Sequence, residues 1–294
     1  LIQGLSVADS AGNGAGDAYD ENFLGALVDD AKAAVQADTV EDALLKARDL
    51  LNLLPSNNLA STALYEADAA AMPACEDIAG VVDAVADAGT ALRLYEGSSC
   101  ETVLARVGGA ACGLVTLAGD KIGCCAAARL ARFVRLCDAF SLPLITFVDA
   151  AGFECLQGAA KLSHAYAEAT TAKLTVVTGR AYGPVYIAAA GKSAGADVVL
   201  AWPSAVISPL APESAVHILW QDKLAAMTDP TKERPALAEE YAETACSPLA
   251  AAADGFVTDV IPPAETKAKL VAMMDMLSGK RVSRLPKKHS NLPL

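Results

Sequence analysis

Apolar positions along the chain keep two different rhythms. Val40, Ala43, Leu44, Ala47, Leu50, Leu51 and Leu54 recur at helical spacing. Thr39 can cap that helix and Pro55 stops it. The stretch Val81–Leu92 reads as a second helix. Thr102–Val107 and Cys112–Leu117 read as strands, and Gly108–Gly109 between them signals a hairpin. A repeated pattern comes next. A helix over Cys124–Phe140 leads to the apolar run Leu144–Asp149, and a helix over Gly158–Thr170 leads to the run Leu174–Gly179. A helix opening at Tyr182 and ending near Gly191 leads to Asp197–Trp202. Continuous β-branched runs predict strands buried on both faces, and their alternation with helices predicts α/β layers. Glu213–Met227 and Pro235–Cys246 read as helices, Gly255–Ile261 as a strand and Pro263–Leu277 as a closing helix. Residues 1–20 lack period and read as a loop or linker.

Composition narrows the class. Hydrophobic residues are 53% of the 294 and charged residues 20%, which excludes wholesale disorder. The uncharged stretch Val198–Pro212 has 15 residues and three prolines, too few and too broken for a spanning helix. The net charge of −12 is uneven. Residues 1–101 hold 18 acids and 4 bases, whereas residues 102–294 hold 17 and 19. No dominant basic face is present, so nucleic-acid binding is not expected. The basic end, Lys280 to Lys288, reads as a solvated terminus. Eight cysteines occur without a Cys-x-x-Cys pair and beside only three histidines, so no metal site is expected. Among Ala, Leu and Val a thiol acts as a small hydrophobe, and a reduced, cytoplasmic protein is expected.

Side-chain chemistry is sparse. No nucleophile elbow, zinc-protease helix or phosphate loop occurs. Asp149 ends a strand and reads first as a turn-capping carboxylate. His164 is a lone helical histidine. The informative places are two turns, Gly152–Phe153 and Tyr182–Gly183–Pro184–Val185. Glycine admits close backbone approach, and the opening turn of a helix presents N–H groups. Side by side, such turns can hold an oxyanion. The simpler reading is that both glycines only shape turns.

The ordered motifs Ala131–Arg132–Phe133–Val134–Arg135–Leu136–Cys137–Asp138–Ala139–Phe140, Pro143–Leu144–Ile145–Thr146–Phe147–Val148–Asp149, Gly152–Phe153 and Ala165–Tyr166–Ala167–Glu168–Ala169–Thr170 come in turn. Arg180–Ala181–Tyr182–Gly183, Ala201–Trp202–Pro203–Ser204–Ala205 and Lys288–His289–Ser290–Asn291–Leu292–Pro293–Leu294 complete the series. Together they resemble the carboxyltransferase (β) subunit of biotin-dependent acyl-CoA carboxylases and decarboxylases, the propionyl-CoA carboxylase type included. The resemblance covers the C-terminal half of that subunit. It implies an α/β crotonase-like (ClpP/crotonase) ββα spiral, a single repeat over residues 61–294, with a linker and helical extension over residues 1–60. It implies transfer of CO₂ between carboxylated biotin, carried on a biotin carboxyl carrier protein, and an acyl-CoA. An N-type carboxyltransferase subunit would complete the site, in a homo- or hetero-oligomer. Gly183 and Val185 would supply the catalytic amides, and Gly152, Phe153, Tyr182 and Pro184 would line the biotin pocket. Where the family has Gly-Gly-Ala, this chain has Gly183–Pro184–Val185, and proline carries no N–H. Two rival readings stand beside this one: a degraded subunit with a structural role in an assembly, and another crotonase-type CoA enzyme using Glu154.

Overall fold

The computed structural model describes residues 5–7, 35–57, 60–66, 72, 75, 77–97, 99–225 and 229–282. The motif Lys288–Leu294, and residues 1–20 apart from Leu5–Val7, lie outside the described residues. Strands β1 (Leu5–Val7) and β2 (Val35–Ala37) pair in parallel. Helix α1 (Val40–Leu53) starts where the sequence placed it, with Thr39 Oγ1 accepting the Asp42 amide at 3.1 Å. The next helix, α2, covers only Val81–Val85. It stops early because Asp87 is drawn to the hairpin. The Asp87 carboxylate accepts the Gly108 and Gly109 amides at 3.1 and 2.7 Å and pairs with the buried Lys267 at 3.0 Å. Leu92, read as the end of that helix, opens a strand instead.

Strands β3 (Leu92–Glu96), β4 (Cys100–Val107) and β5 (Ala110–Gly119) form an antiparallel meander. Gly108 and Gly109 both take positive φ (59° and 80°), as the tight turn between β4 and β5 requires. Strands β6 (Leu144–Ala150), β7 (Lys173–Tyr182), β8 (Val198–Ala201) and β10 (Asp259–Val260) add in parallel, so the order is β3-β4-β5-β6-β7-β8-β10. The short β9 (Val206–Ser208) pairs with the end of β7. The crossovers are α3 (Cys124–Ala139), α4 (Leu156–Glu168) and a short turn α5 (Gly183–Val185) that continues as a π-helical turn over Tyr186–Ala190.

Both faces of the parallel strands are buried, as their continuous apolar runs predict. On β6, Leu144 and Val148 pack with Leu130, Phe133 and Leu162 of α3 and α4, whereas Ile145 and Phe147 pack on the other face with Trp202, Leu270 and Met274. The second face is closed by α10 (Thr266–Leu277), entered through a 3-10 turn at Pro263–Glu265. A smaller cluster is built by α6 (Pro212–Leu219), α7 (Gln221–Ala225) and α8 (Pro230–Ala245), whereas α9 (Pro248–Ala253) packs Ala251 into the main core. The helix expected over Glu213–Met227 is broken at Trp220, whose ring stacks edge-on with Tyr241 at 5.1 Å; Met227 lies outside the described residues.

Arg106 fastens Asn52, Ala63 and Tyr65 to the sheet. Buried, it donates to the carbonyls of Asn52 (2.7 Å), Ala63 (2.8 Å) and Gly109 (2.9 Å) and lies over the Tyr65 ring. Several quoted motif residues have the same fastening role. Asp138 accepts from the Thr170 and Thr171 amides, Thr146 and Tyr166 share a buried hydrogen bond of 2.7 Å, and Trp202 Nε1 donates to Thr266 Oγ1 at 2.9 Å.

Candidate functional site

Gly119 pairs with Ala150 and Ala150 with Ala181, so β5, β6 and β7 end together. The segments beyond them leave one edge of the sheet from three adjacent strands. In open α/β sheets ligands bind outside these carboxyl ends.

The first turn runs from Ala151 to Glu154. The Ala151 amide donates to Gly119 O, the Ile122 amide to Gly152 O at 2.9 Å, and the Glu154 amide to Ile122 O at 3.0 Å. A hydrogen-bonded strip thus fixes Gly152 and Phe153 against residues 119–122. Gly152 does not need to be glycine for the fold. Its φ is not positive, and an added Cβ would meet only Asp120 O at 3.8 Å, an ordinary contact. The space before it is open, so the simple turn-forming reading fails at this position.

Gly183 is the opposite case. Its φ is +26°, and a Cβ would stand 2.5 Å from Pro209 O. Here the backbone itself demands glycine. Gly183, Pro184 and Val185 form a first helical turn, where amides have no intrahelical acceptor. The Val185 side chain is fully buried and Pro184 is exposed. Proline suits this position structurally because its missing N–H would have bonded nothing within the helix. Any loss falls on a ligand. The following turn is anchored by Tyr186, whose hydroxyl donates to Phe256 O at 2.8 Å. Burial pushes the Tyr182 phenol above its ordinary range, Glu213 adding to the shift and Arg180 opposing it.

Of the two carboxylates flagged in the sequence, Asp149 is structural. Asp149 Oδ1 accepts both the Arg180 amide and Arg180 Nε, each at 2.9 Å. The exposed Glu154 carboxylate lies over Gly123, the residue that caps α3; a Cβ there would be 3.2 Å from Oε2. A carboxylate at a helix N-terminus is favoured by the helix dipole. His164 stands in the third turn of α4 between Arg135 and Glu168, about 12 Å along the axis from the start of that helix. Cys124 and Cys155, expected to be plain apolar fillers, are instead joined sulfur to sulfur, linking the starts of α3 and α4. Arg180, quoted in a motif without a role, and Asp120, which the sequence does not single out, meet at 2.6 Å on this edge. Among the described residues no cluster of three His, Cys, Asp or Glu side chains could hold a metal.

Against known proteins, the profile of the carboxyl transferase domain matches residues 30–292. The chain belongs to the carboxyl transferase domain family. It is 38% identical over 286 residues to the carboxyltransferase subunit of propionyl-CoA carboxylase from Haloferax mediterranei, covering 87% of this chain and 55% of that one. It is 34% identical over 285 residues to the methylmalonyl-CoA carboxyltransferase 12S subunit of Propionibacterium freudenreichii subsp. shermanii, covering 87% and 54%. The crystal structure of transcarboxylase 12S, a hexamer assembly with methylmalonyl-coenzyme A bound, superposes with a TM-score of 0.81 at 33% identity, over 88% of this chain and 55% of that one. The chain therefore spans about half the length of these relatives, and the fold is crotonase-like. No helix among the described residues is long and apolar enough to cross a membrane.

Proposed function

We propose that this chain is the biotin-facing half of an acyl-CoA carboxyltransferase. It works against an N-type half that binds the acyl-CoA, in an oligomer served by a biotin carboxyl carrier protein. The observation that carries the reading is Gly152. The fold leaves the space before it open, beside a second amide-bearing turn on the same sheet edge. A bicyclic ureido ring fits such a place, because its flat body needs room and its oxygen needs N–H donors. The Gly183 and Val185 amides would hold that oxygen, and Gly152, Phe153, Tyr182 and Pro184 would line the pocket. Bound biotin supplies an activated carboxyl group. The chain's own work is to orient the ring, exclude water and stabilise negative charge on oxygen through fixed dipoles.

A second reading is favoured by Pro184, which removes one amide from the turn. Such a chain would complete an assembly without turning over. Both readings meet one test. The chain is reconstituted with an N-type half and a biotinylated carrier, and transfer of labelled carboxylate to acyl-CoA is measured. Gly152→Ala should lower turnover by about 10² with melting unchanged, since it fills the open space without a clash. Equal transfer by wild type and Gly152→Ala would sink the first reading. No transfer by either would favour the second.

A further inference from the structure

Strand β7 changes partners part-way along. Leu174–Val177 pairs with β8, whereas Arg180–Tyr182 pairs with β9. Against β6 the register jumps from Val148 opposite Val177 to Ala150 opposite Ala181. Thr178, Gly179 and Arg180 therefore all stand opposite Asp149. This is a bulge, and bulges bend a strand and re-aim the residues beyond it. Beyond this one lies Tyr182–Gly183–Pro184–Val185. The bulge thus decides where that turn stands relative to Gly152, three residues after Asp149.

The bulge is built from few parts. Asp149 Oδ1 takes the Arg180 amide and Nε, and Thr178 Oγ1 donates to Val148 O at 3.1 Å. A Cβ on Gly179 would come within 2.6 Å of the Asp149 carboxyl carbon, so the strand can close only around glycine. The guanidinium then reaches outward. Arg180 Nη1 meets Asp120 Oδ1 at 2.6 Å. The carbonyl of that same Asp120 is the atom nearest the open side of Gly152. One side chain therefore links the ends of β5, β6 and β7, and through them both turns.

We propose that Arg180 is a positioning residue that sets the gap between the Gly152–Phe153 turn and the Gly183–Val185 turn. What the paired turns hold rests on the function proposed above; the coupling of the turns does not. Arginine suits the task because its rigid fork serves two carboxylates at once, whereas lysine is a point charge. Asp120 is 87% exposed and Arg180 37%, so these pairs add little to global stability. Their effect is local.

The test is hydrogen exchange of the full chain, read by mass spectrometry in peptides spanning 150–154 and 181–186. Arg180→Met should speed exchange in both segments by about fivefold to tenfold, since two partly exposed pairs are lost together. Arg180→Lys should recover part of the protection. The hairpin over residues 103–117 should not change, and melting should hold within about 2 °C. Unchanged exchange in either turn would overturn the proposal. So would faster exchange throughout the chain, which would mark a merely structural arginine. In the reconstituted assembly the same variant should lower kcat and leave KM for acyl-CoA in place. If the exchange result holds while wild type shows no turnover, the functional reading falls and the positioning role stands.

Discussion

Replacing Pro184 by alanine should move stability and turnover in opposite directions. The residue is exposed, so removing its ring surrenders little buried surface. It sits second in a helical turn, where a new N–H finds no carbonyl inside the helix. The folded chain therefore neither gains nor loses a hydrogen bond. The unfolded chain gains freedom, which lowers stability by about 0.4–1 kcal/mol. For a domain of this size that lowers the melting temperature by about 1–4 °C. Alanine is preferred to glycine, which adds a further penalty of about 0.5–1 kcal/mol in a helical turn. At the site the new amide would stand between those of Gly183 and Val185. A single oxyanion donor is worth about 10²–10³ in turnover. Scanning fluorimetry and labelled-carboxylate transfer measure the two effects separately. A small loss of melting temperature with unchanged or lower turnover would show that position 184 does not face the reacting oxygen. A rise in melting temperature would refute the accounting for the turn itself.

Three further outcomes test the scaffold. Thr266→Val leaves the buried Trp202 indole N–H without its acceptor and should cost about 1–3 kcal/mol, whereas Thr266→Ser keeps the hydroxyl; urea midpoints followed by tryptophan fluorescence compare them. Arg106→Met strips the Asn52, Ala63 and Gly109 carbonyls of a charged donor and should cost about 2–4 kcal/mol, with faster proteolysis between residues 52 and 65; an unaltered cleavage pattern would contradict the fastening role. Burial pushes the Cys100 thiol from 9.0 to about 12. The unfolded chain then loses its proton first, so this contribution is whole below pH 9 and lost as pH rises through 12, by about 1.4 kcal/mol per pH unit. Urea midpoints at pH 8 and pH 10.5 should differ accordingly, and equal midpoints would count against a buried, protonated Cys100.

Much of the sheet is legible in the sequence because its signals are local. Gly108–Gly109 must be a tight turn, and the β-branched runs from Leu144 and Leu174 must be buried strands, since no other element accepts both. The errors fall where a distant partner decides. Val81–Val85 would continue as a helix if Asp87 were not held by Gly108, Gly109 and Lys267. β9 has three residues and exists because the bulge in β7 turns Arg180–Tyr182 toward it. At the site, the two turns are legible from their glycines, but Asp149, expected to cap the turn that follows it, instead accepts from Arg180 on the neighbouring strand. That Gly183 is required by the fold and Gly152 is not could not be seen, because it depends on Pro209 O and Asp120 O. Arg180 stands in the sequence only as the first residue of a motif, with no role attached. Its meaning comes from a register jump that no periodicity records.

The strand order has a consequence for synthesis. From β3 to β8 each strand lies beside the one made just before it. A chain leaving the ribosome can close the Gly108–Gly109 hairpin first, from contacts close in sequence, which form fastest. Its edge then offers a template to β6, then β7, then β8, each arriving with its crossover helix. No strand in this series must wait for one still unmade, and little apolar edge stays bare for long. Stalled nascent chains ending after residues 120, 170, 205 and 282 should therefore gain protease resistance in steps. Resistance appearing only at the last length would show that the sheet instead forms all at once.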